Sequence, residues 1–151
     1  MGIRCSPTEA TYAICKSSSN SIELVQLDVI CTPKYLDESE RLRYVRNVMM
    51  DILNQHSVEK SVVRIIENNA RRTIAERVRM EGVIIEAIAS SGVRVYSTFV
   101  ISQIGSRLGI PSNEVLSYIS GATQYDSIEE WATYTNLERE AILAALSSNY
   151  T

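Results

Sequence analysis

Residue types that build metal and redox sites are scarce in this chain of 151 residues, which has three cysteines and one histidine. Proline is also scarce, with three residues. Cys5, Cys15 and Cys31 fall on separate predicted β segments without the spacing of a zinc site, so we expect small, buried, reduced side chains. Apolar runs stay well short of the roughly 20 residues that a membrane helix needs. With no apolar leader at residue 1, the sequence predicts a cytoplasmic protein.

Basic residues are not in excess, because the net charge is −3. Residues 1–110 carry fourteen Lys and Arg against twelve Asp and Glu, whereas residues 111–151 carry only Arg139 against six acidic residues. A nucleic-acid-binding protein usually shows a clear basic excess or stripe. Any basic surface must therefore lie within the first 110 residues.

The acidic tail is rich in aromatic residues. It holds the only tryptophan and four of the eight tyrosines. Because Trp and Tyr are enriched in protein interfaces, Tyr125, Trp131 and Tyr134 are candidate contacts for a protein partner. Packing within the core of the domain is the alternative role of such side chains.

Hydrophobic periodicity predicts the order β-β-β-α-β-α-β-α, followed by further helix. The predicted strands cover residues 2–5, 11–15, 22–31, 61–66 and 93–96. The predicted helices cover residues 39–56, 73–91, 111–118 and 137–146. Two more are predicted, one from a cap at Ser97 or Thr98 to Gly109 and one from Asp126 or Ser127 to Trp131. We expect His56 to cap the end of the first helix.

This order predicts an α/β fold with one mixed sheet. Three antiparallel β segments lead into β-α-β crossovers, which place helices on both faces of the sheet. The length suits a single domain over residues 1–151, with a core at 1–110 and a helical tail at 111–151.

Short motifs in four of these elements resemble those of the RuvC-like Holliday-junction resolvases. That family opens with Gly-Ile-Asp-Pro-Gly and continues with Thr-Gly-Tyr-Ala; this chain has Gly2-Ile3-Arg4-Cys5-Ser6 and Thr11-Tyr12-Ala13. The family's fourth strand ends in a glutamate, and here Arg64-Ile65-Ile66-Glu67 is similar. Its last helix has an acidic residue before small and apolar ones, as in Glu140-Ala141-Ile142-Leu143-Ala144-Ala145.

The resemblance implies a ribonuclease-H-like fold, a homodimer, and a nuclease site in which carboxylates hold two Mg²⁺ or Mn²⁺ ions. Arg4 stands where the family has its first-strand aspartate, and an arginine cannot ligate a cation. Glu67 and Glu140 match the other acidic positions and are the candidate catalytic and metal-ligating residues. Glu9 or Asp28 would have to replace the missing aspartate. With Arg4 in place, we expect no metal or other cofactor.

Several candidate residues have an alternative structural role. Glu67 is a metal ligand or an ion-pair partner of Arg4, Arg71 or Arg72. A basic cluster that follows Glu67 is a candidate contact for DNA or RNA, or else belongs to a solvated helix face on which Arg77 and Glu81 form an i,i+4 pair. This cluster consists of Arg71, Arg72, Arg77 and Arg79. The same choice applies to Arg41, Arg43 and Arg46 of the first predicted helix.

Three functions remain open from the sequence. The first is a catalytically degenerate, self-associating subunit for binding or assembly, in a bacterial DNA-handling or mobile-element system as the resemblance implies. The second is an active metal-dependent nuclease with a rearranged carboxylate site. The third is a non-catalytic nucleic-acid-binding protein. A membrane role is not expected.

Overall fold

The computed structural model describes residues 1–18, 21–67 and 75–150. The strands are β1 (Gly2–Cys5), β2 (Glu9–Ser17), β3 (Ile22–Cys31), β4 (Lys60–Arg64) and β5 (Val95–Phe99). The helices are α1 (Glu38–Gln55), α2 (Ala75–Ala89), α3 (Ile101–Leu108), α4 (Ser112–Ser120) and α5 (Asn136–Ser147), with short 3₁₀ turns at Trp131–Thr133 and Ser148–Tyr150.

The five strands form one mixed sheet in the order β3-β2-β1-β4-β5. The first three strands are antiparallel neighbours, whereas β4 runs parallel to β1 and β5 runs parallel to β4. The predicted α/β fold with a mixed sheet is therefore confirmed. Since β1, β3, β4 and β5 point the same way, they all end at one side of the sheet, which we call the carboxyl end.

Helices cover both faces of the sheet, as the sequence predicts. On one face α1 and α2 pack over a core that includes Ile3, Met49 and Ile84. On the other face α3, α4 and α5 pack over a second core that includes Ile104 and the α5 side chains from Ala141 to Leu146. None of the described helices combines the length and apolar character needed to cross a bilayer.

Helix α5 lies directly on the backbone of β1. A Cβ atom on Gly2 would stand 2.1 Å from both the Ala141 carbonyl oxygen and the Ala145 nitrogen. Only a residue without a side chain fits such a close approach. The small α5 residues and Gly2 together fix the distance between this helix and the sheet.

The start of α3 differs from the sequence prediction. Ser97 and Thr98 do not cap the helix but belong to β5, where they pair with Val62 and Val63 of β4. The helix begins after Val100. The prediction was wrong because this short run of β-branched and aromatic residues joins the sheet, and pairing with β4 outweighs the capping propensity of the two hydroxyl residues.

The predicted helix ending at Trp131 is also wrong, because this segment contains turns and the 3₁₀ turn Trp131–Thr133. Glu130 has a left-handed backbone with φ of 57°. The buried Arg139 guanidinium donates hydrogen bonds of 3.1 Å to the carbonyls of Trp131, Ala132 and Ile119. A tertiary contact thus takes the acceptors that a longer helix would use internally.

Two smaller expectations have different outcomes. His56 is the C-cap of α1, as expected, and its backbone N–H donates to the Ile52 carbonyl at 3.0 Å. Of the cysteines, Cys5 is buried, Cys15 is half-buried, and Cys31 is exposed. The expectation of burial is wrong for Cys31 because it is the last residue of the outer strand β3. Burial raises the pKa of the Cys5 thiol to about 12.

Replacement of Gly2 by alanine tests the close contact between β1 and α5. We expect Gly2→Ala to lower the free energy of unfolding by about 1–3 kcal/mol or more, because a Cβ atom would push α5 off the sheet. Gly92→Ala is the matched control, since a Cβ there meets nothing within 4 Å. Urea denaturation measures both. Equal stability of the two variants would contradict the contact.

Candidate functional site

The carboxyl end of the sheet brings together residues from three elements that are distant in sequence. Arg4 comes from β1, Arg64 ends β4, Glu67 follows shortly after, and Glu140 lies near the start of α5. In the parallel pairing of β1 with β4, Arg4 lies opposite Arg64. Since Gly2 contacts α5 and side chains alternate along a strand, both arginines face α5.

The Glu140 carboxylate bridges these two arginines. Its Oε2 atom lies 2.8 Å from Nε of Arg4 and 2.9 Å from Nε of Arg64. The three side chains are only 12%, 9% and 10% exposed, in the order Arg4, Arg64 and Glu140. Two adjacent buried cations repel each other strongly unless an anion lies between them. Glu140 supplies that anion.

The guanidiniums also bind the backbone next to them. Arg4 donates through Nη1 to the Cys5 carbonyl, and Arg64 donates through Nη1 to the Ile65 carbonyl. Burial lowers the pKa of Arg64, and the nearby charge of Arg4 lowers it further, whereas Glu140 raises it. The arginine nevertheless remains a cation, since guanidinium does not lose its proton in proteins.

Glu67 has a structural partner at the start of α3. Its Oε1 atom accepts a hydrogen bond of 3.0 Å from the Ile101 N–H and lies 3.5 Å from Nη2 of Arg64. The first turn of a helix has free N–H groups and a positive dipole end, both of which favour a carboxylate. Glu67 therefore stabilises the junction between β5 and α3.

A second ion pair lies on α2, on the opposite face of the sheet. Nε of Arg77 is 2.7 Å from Oε1 of Glu81, and the two side chains are 10% and 6% exposed. The sequence-based expectation of a solvated helix face is wrong for this pair. Helix α2 turns Arg77, Met80 and Glu81 toward the sheet together with Ile84, at the spacing of one helix face.

The four candidate nucleic-acid contacts have different positions. Arg77 is buried, whereas Arg79 is about half exposed and bound to Glu38 at 2.5 Å. Arg71 and Arg72 lie outside the described residues. The structure therefore does not bring the four arginines together into one exposed patch.

The carboxyl end of the sheet does not fit a divalent metal. Within residues 1–18, 21–67 and 75–150, no three His, Cys, Asp or Glu side chains form a group that could hold an ion. The Oε2 atom of Glu140 already binds two guanidiniums, whose charge would repel Mg²⁺ or Mn²⁺. Neither Glu9 nor Asp28 belongs to a group of described residues that could hold an ion, so neither replaces the missing aspartate there.

The aromatic residues of the tail pack against one another. The Trp131 ring is fully buried and its Nε1 donates to the Tyr118 carbonyl at 3.1 Å. Its ring centroid lies 5.5 Å from that of Tyr125 and 6.4 Å from that of Tyr134. Trp131 is thus a core residue, and only the half-buried Tyr125 and Tyr134 present part of their rings to solvent.

Two residues of these ion pairs, Arg64 and Glu81, were not among the candidate site residues from the sequence. Arg64 carried a signal, because it lies two residues after the apolar Val62 and therefore on the same face of a strand that enters the core. A charge at such a position needs a partner, but the sequence does not give the register that places Arg64 opposite Arg4. Glu81 carried no comparable signal, since an i,i+4 pair looks the same on a buried and on a solvated helix face.

A model of a known protein family matches most of the chain. The family model described as crossover junction endodeoxyribonuclease RuvC matches residues 1–109. A search of curated protein sequences gives no significant match.

Solved structures share the fold over nearly the whole chain. RuvC from Thermus thermophilus has 17% identity and a TM-score of 0.73, covering 99% of this chain and 92% of that one. The same protein in complex with a Holliday junction substrate has 18% identity and a TM-score of 0.75, covering 99% of this chain and 91% of that one. The yeast mitochondrial Holliday junction resolvase Ydc2 has 10% identity and a TM-score of 0.61, covering 99% of this chain and 78% of that one.

Removal of the Glu140 carboxylate tests the bridge. We expect Glu140→Ala to lower the free energy of unfolding by about 3–5 kcal/mol, because it leaves two buried cations without their anion. Glu38→Ala is the control, since the Glu38–Arg79 pair is about half exposed and should contribute little. Thermal and urea melts measure both, and a loss at Glu140 no larger than at Glu38 would show that the bridge does not stabilise the fold.

Proposed function

Because the chain belongs to the RuvC family of crossover junction endodeoxyribonucleases, we propose that it is a catalytically degenerate member that binds nucleic acid without cleaving it. The observation that carries the proposal is the Arg4–Glu140–Arg64 bridge at the carboxyl end of the sheet. Carboxylates that would hold metal ions are engaged there by arginines.

The chemistry of phosphodiester hydrolysis supports the loss of cleavage. Metal ions in two-metal nucleases lower the pKa of the attacking water and stabilise the leaving oxygen. A guanidinium supplies positive charge but neither coordinates water nor gives up a proton. The ion pairs at the carboxyl end of the sheet, which we call the ion-pair cluster, contain three arginines and three glutamates, so their charge is balanced without an added cation. These residues are Arg4, Arg64, Arg77, Glu67, Glu81 and Glu140.

Nucleic acid is the ligand that the fold favours. A structural neighbour, T. thermophilus RuvC, is known in complex with a Holliday junction substrate. We carry this ligand class over to the present chain and assign phosphate contacts to Arg71 and Arg72, since Arg77 is buried and Arg79 is paired. Binding that depends on such phosphate contacts weakens steeply with salt.

Metal response and cleavage test the proposal. We expect the wild-type melting temperature to be the same in EDTA, Mg²⁺ and Mn²⁺, because a ligand that does not bind the folded state cannot stabilise it. We also expect a labelled four-way junction to be bound and to stay intact with either metal. Metal-dependent cleavage by the wild type would overturn the proposal. Failure to bind DNA or RNA would contradict nucleic acid as the ligand.

Variants of the bridge sharpen this test. In Arg4→Asp/Arg64→Ala a carboxylate replaces one cation and Glu140 is released, so we expect Mn²⁺ to raise its melting temperature by several degrees. Arg79→Asp is the control, because it changes an exposed charge away from the bridge. Circular dichroism in EDTA checks that both variants fold.

We further propose that the protein self-associates through the outward face of α2. Val78 is 43% exposed, Gly82 and Ala89 are exposed, and Ile85 is partly exposed. Their spacing of four, three and four residues forms an apolar seam along the helix. A second copy across a twofold axis would cover this seam with its own.

Light scattering after gel filtration tests the seam. We expect a concentration-dependent dimer for the wild type and a monomer for Val78→Asp, because the carboxylate would be buried between two apolar helices. Leu116→Asp is the matched control, since Leu116 is an exposed apolar residue of α4, at 54%. Equal masses for the two variants would contradict an interface on α2.

A further inference from the structure

The most exposed aromatic side chain lies in the turn between β3 and α1. Tyr35 is 87% exposed, more than any other large hydrophobic residue among those described. Leaving a ring of this size in water forgoes a large burial energy. An aromatic ring held out in this way requires an explanation beyond packing.

The turn holds Tyr35 in a defined place. Pro33 precedes it, and the Leu36 N–H donates to the Pro33 carbonyl at 3.3 Å, which closes a tight turn around the tyrosine. Immediately afterwards Asp37 and Glu40 form a capping box at the start of α1. The ring therefore projects from a short segment between a strand and a helix whose backbone is held by hydrogen bonds on both sides of Tyr35.

This turn lies at the same end of the sheet as the ion-pair cluster. The Thr32 N–H and Oγ1 donate to the Thr8 carbonyl at 2.9 and 2.8 Å, which ties the start of the turn to the connection between β1 and β2. That connection follows Cys5, the residue after Arg4. A strand of nucleic acid that crosses this end of the sheet passes both the ion pairs and the turn that carries Tyr35.

The charged residues near Tyr35 favour a polyanion. Lys34 and Arg43 are exposed and Arg41 is partly exposed, and none of the three side chains forms a hydrogen bond or ion pair with a described residue. By contrast, each neighbouring acid is engaged. Asp37 and Glu40 cap α1, and Glu38 binds Arg79. Lys34 and Arg41 are thus available around the ring, whereas the carboxylates already have partners, and the charge of Arg43 acts on Asp37 as well.

From this arrangement we propose that Tyr35 stacks on an unpaired base while Lys34, Arg41 and Arg43 contact the flanking phosphates. A stacking ring beside cations is the combination that binds single-stranded segments with little sequence preference. Tyr44 is 40% exposed and lies one helical turn after Arg41, where it extends the same surface. The inference rests on the proposed binding of nucleic acid and adds the recognition of unpaired bases.

Substitution of Tyr35 tests the stacking. Fluorescence anisotropy would compare an oligonucleotide fork with unpaired arms against a fully paired duplex. We expect Tyr35→Ala to weaken binding of the fork about tenfold and to leave the duplex within about twofold, since stacking contributes roughly 1–3 kcal/mol per base. Tyr35→Phe keeps the ring and should bind as the wild type does.

A matched control and a direct readout complete the experiment. Tyr96→Ala removes another exposed tyrosine, 47% exposed near the start of β5 and away from the carboxyl end, and should not change affinity. A 2-aminopurine placed at the unpaired position should lose fluorescence on binding the wild type and keep it with Tyr35→Ala.

The outcomes separate this inference from the proposed function. If the wild type binds the fork and Tyr35→Ala binds it equally well, the stacking is overturned and nucleic-acid binding stands. If the wild type binds neither oligonucleotide, both are overturned. If Tyr35→Ala changes the oligomeric mass but not the affinity for the fork, Tyr35 contacts a second copy of the chain instead, which also overturns the inference.

Discussion

One carboxylate, that of Glu140, holds the structure together at the point where sheet, helix and site meet. It lies between two arginines on neighbouring parallel strands, at 2.8 and 2.9 Å. The arginines need the anion because they are adjacent and buried, and the anion stays in place because α5 lies on Gly2. Fold and site thus depend on the same contact, since α5 packs on one face of the sheet and also positions Glu140 between the two arginines.

The surrounding residues extend this arrangement through the carboxyl end of the sheet. Glu67 connects Arg64 to the first turn of α3, and Glu81 neutralises Arg77 on the opposite face. Each carboxylate thereby connects two elements or neutralises a buried cation. A metal site would leave its carboxylates dependent on ions from solvent, whereas here the chain supplies both signs of charge itself.

The sequence predicts most of the fold because long periodic segments dominate it. Strand β3 and helices α1 and α5 match their predicted ranges closely, since their apolar spacing is unambiguous. The errors fall where tertiary contacts decide. Pairing with β4 draws Ser97 and Thr98 into a strand, and Arg139 takes the carbonyls of the segment around Trp131.

The candidate site was predictable only in part. The resemblance to the family's motifs assigned Arg4, Glu67 and Glu140 to one site, because they match its positions on two strands and on the last helix. The pairing partners were not readable, because the sequence does not give the register of β1 against β4 or the rotation of α2 about its axis. Arg64 enters the site through that register, and Arg77 with Glu81 through that rotation.

The shared oxygen of Glu140 also makes the bridge redundant. Replacement of Arg4 alone would leave Arg64 bound to Glu140, so that the carboxylate would still not be free. Replacement of Arg64 alone would leave Arg4 bound in the same way. Only a chain that loses both arginines would present Glu140 to another cation, so single substitutions at this end of the sheet do not open the carboxylate.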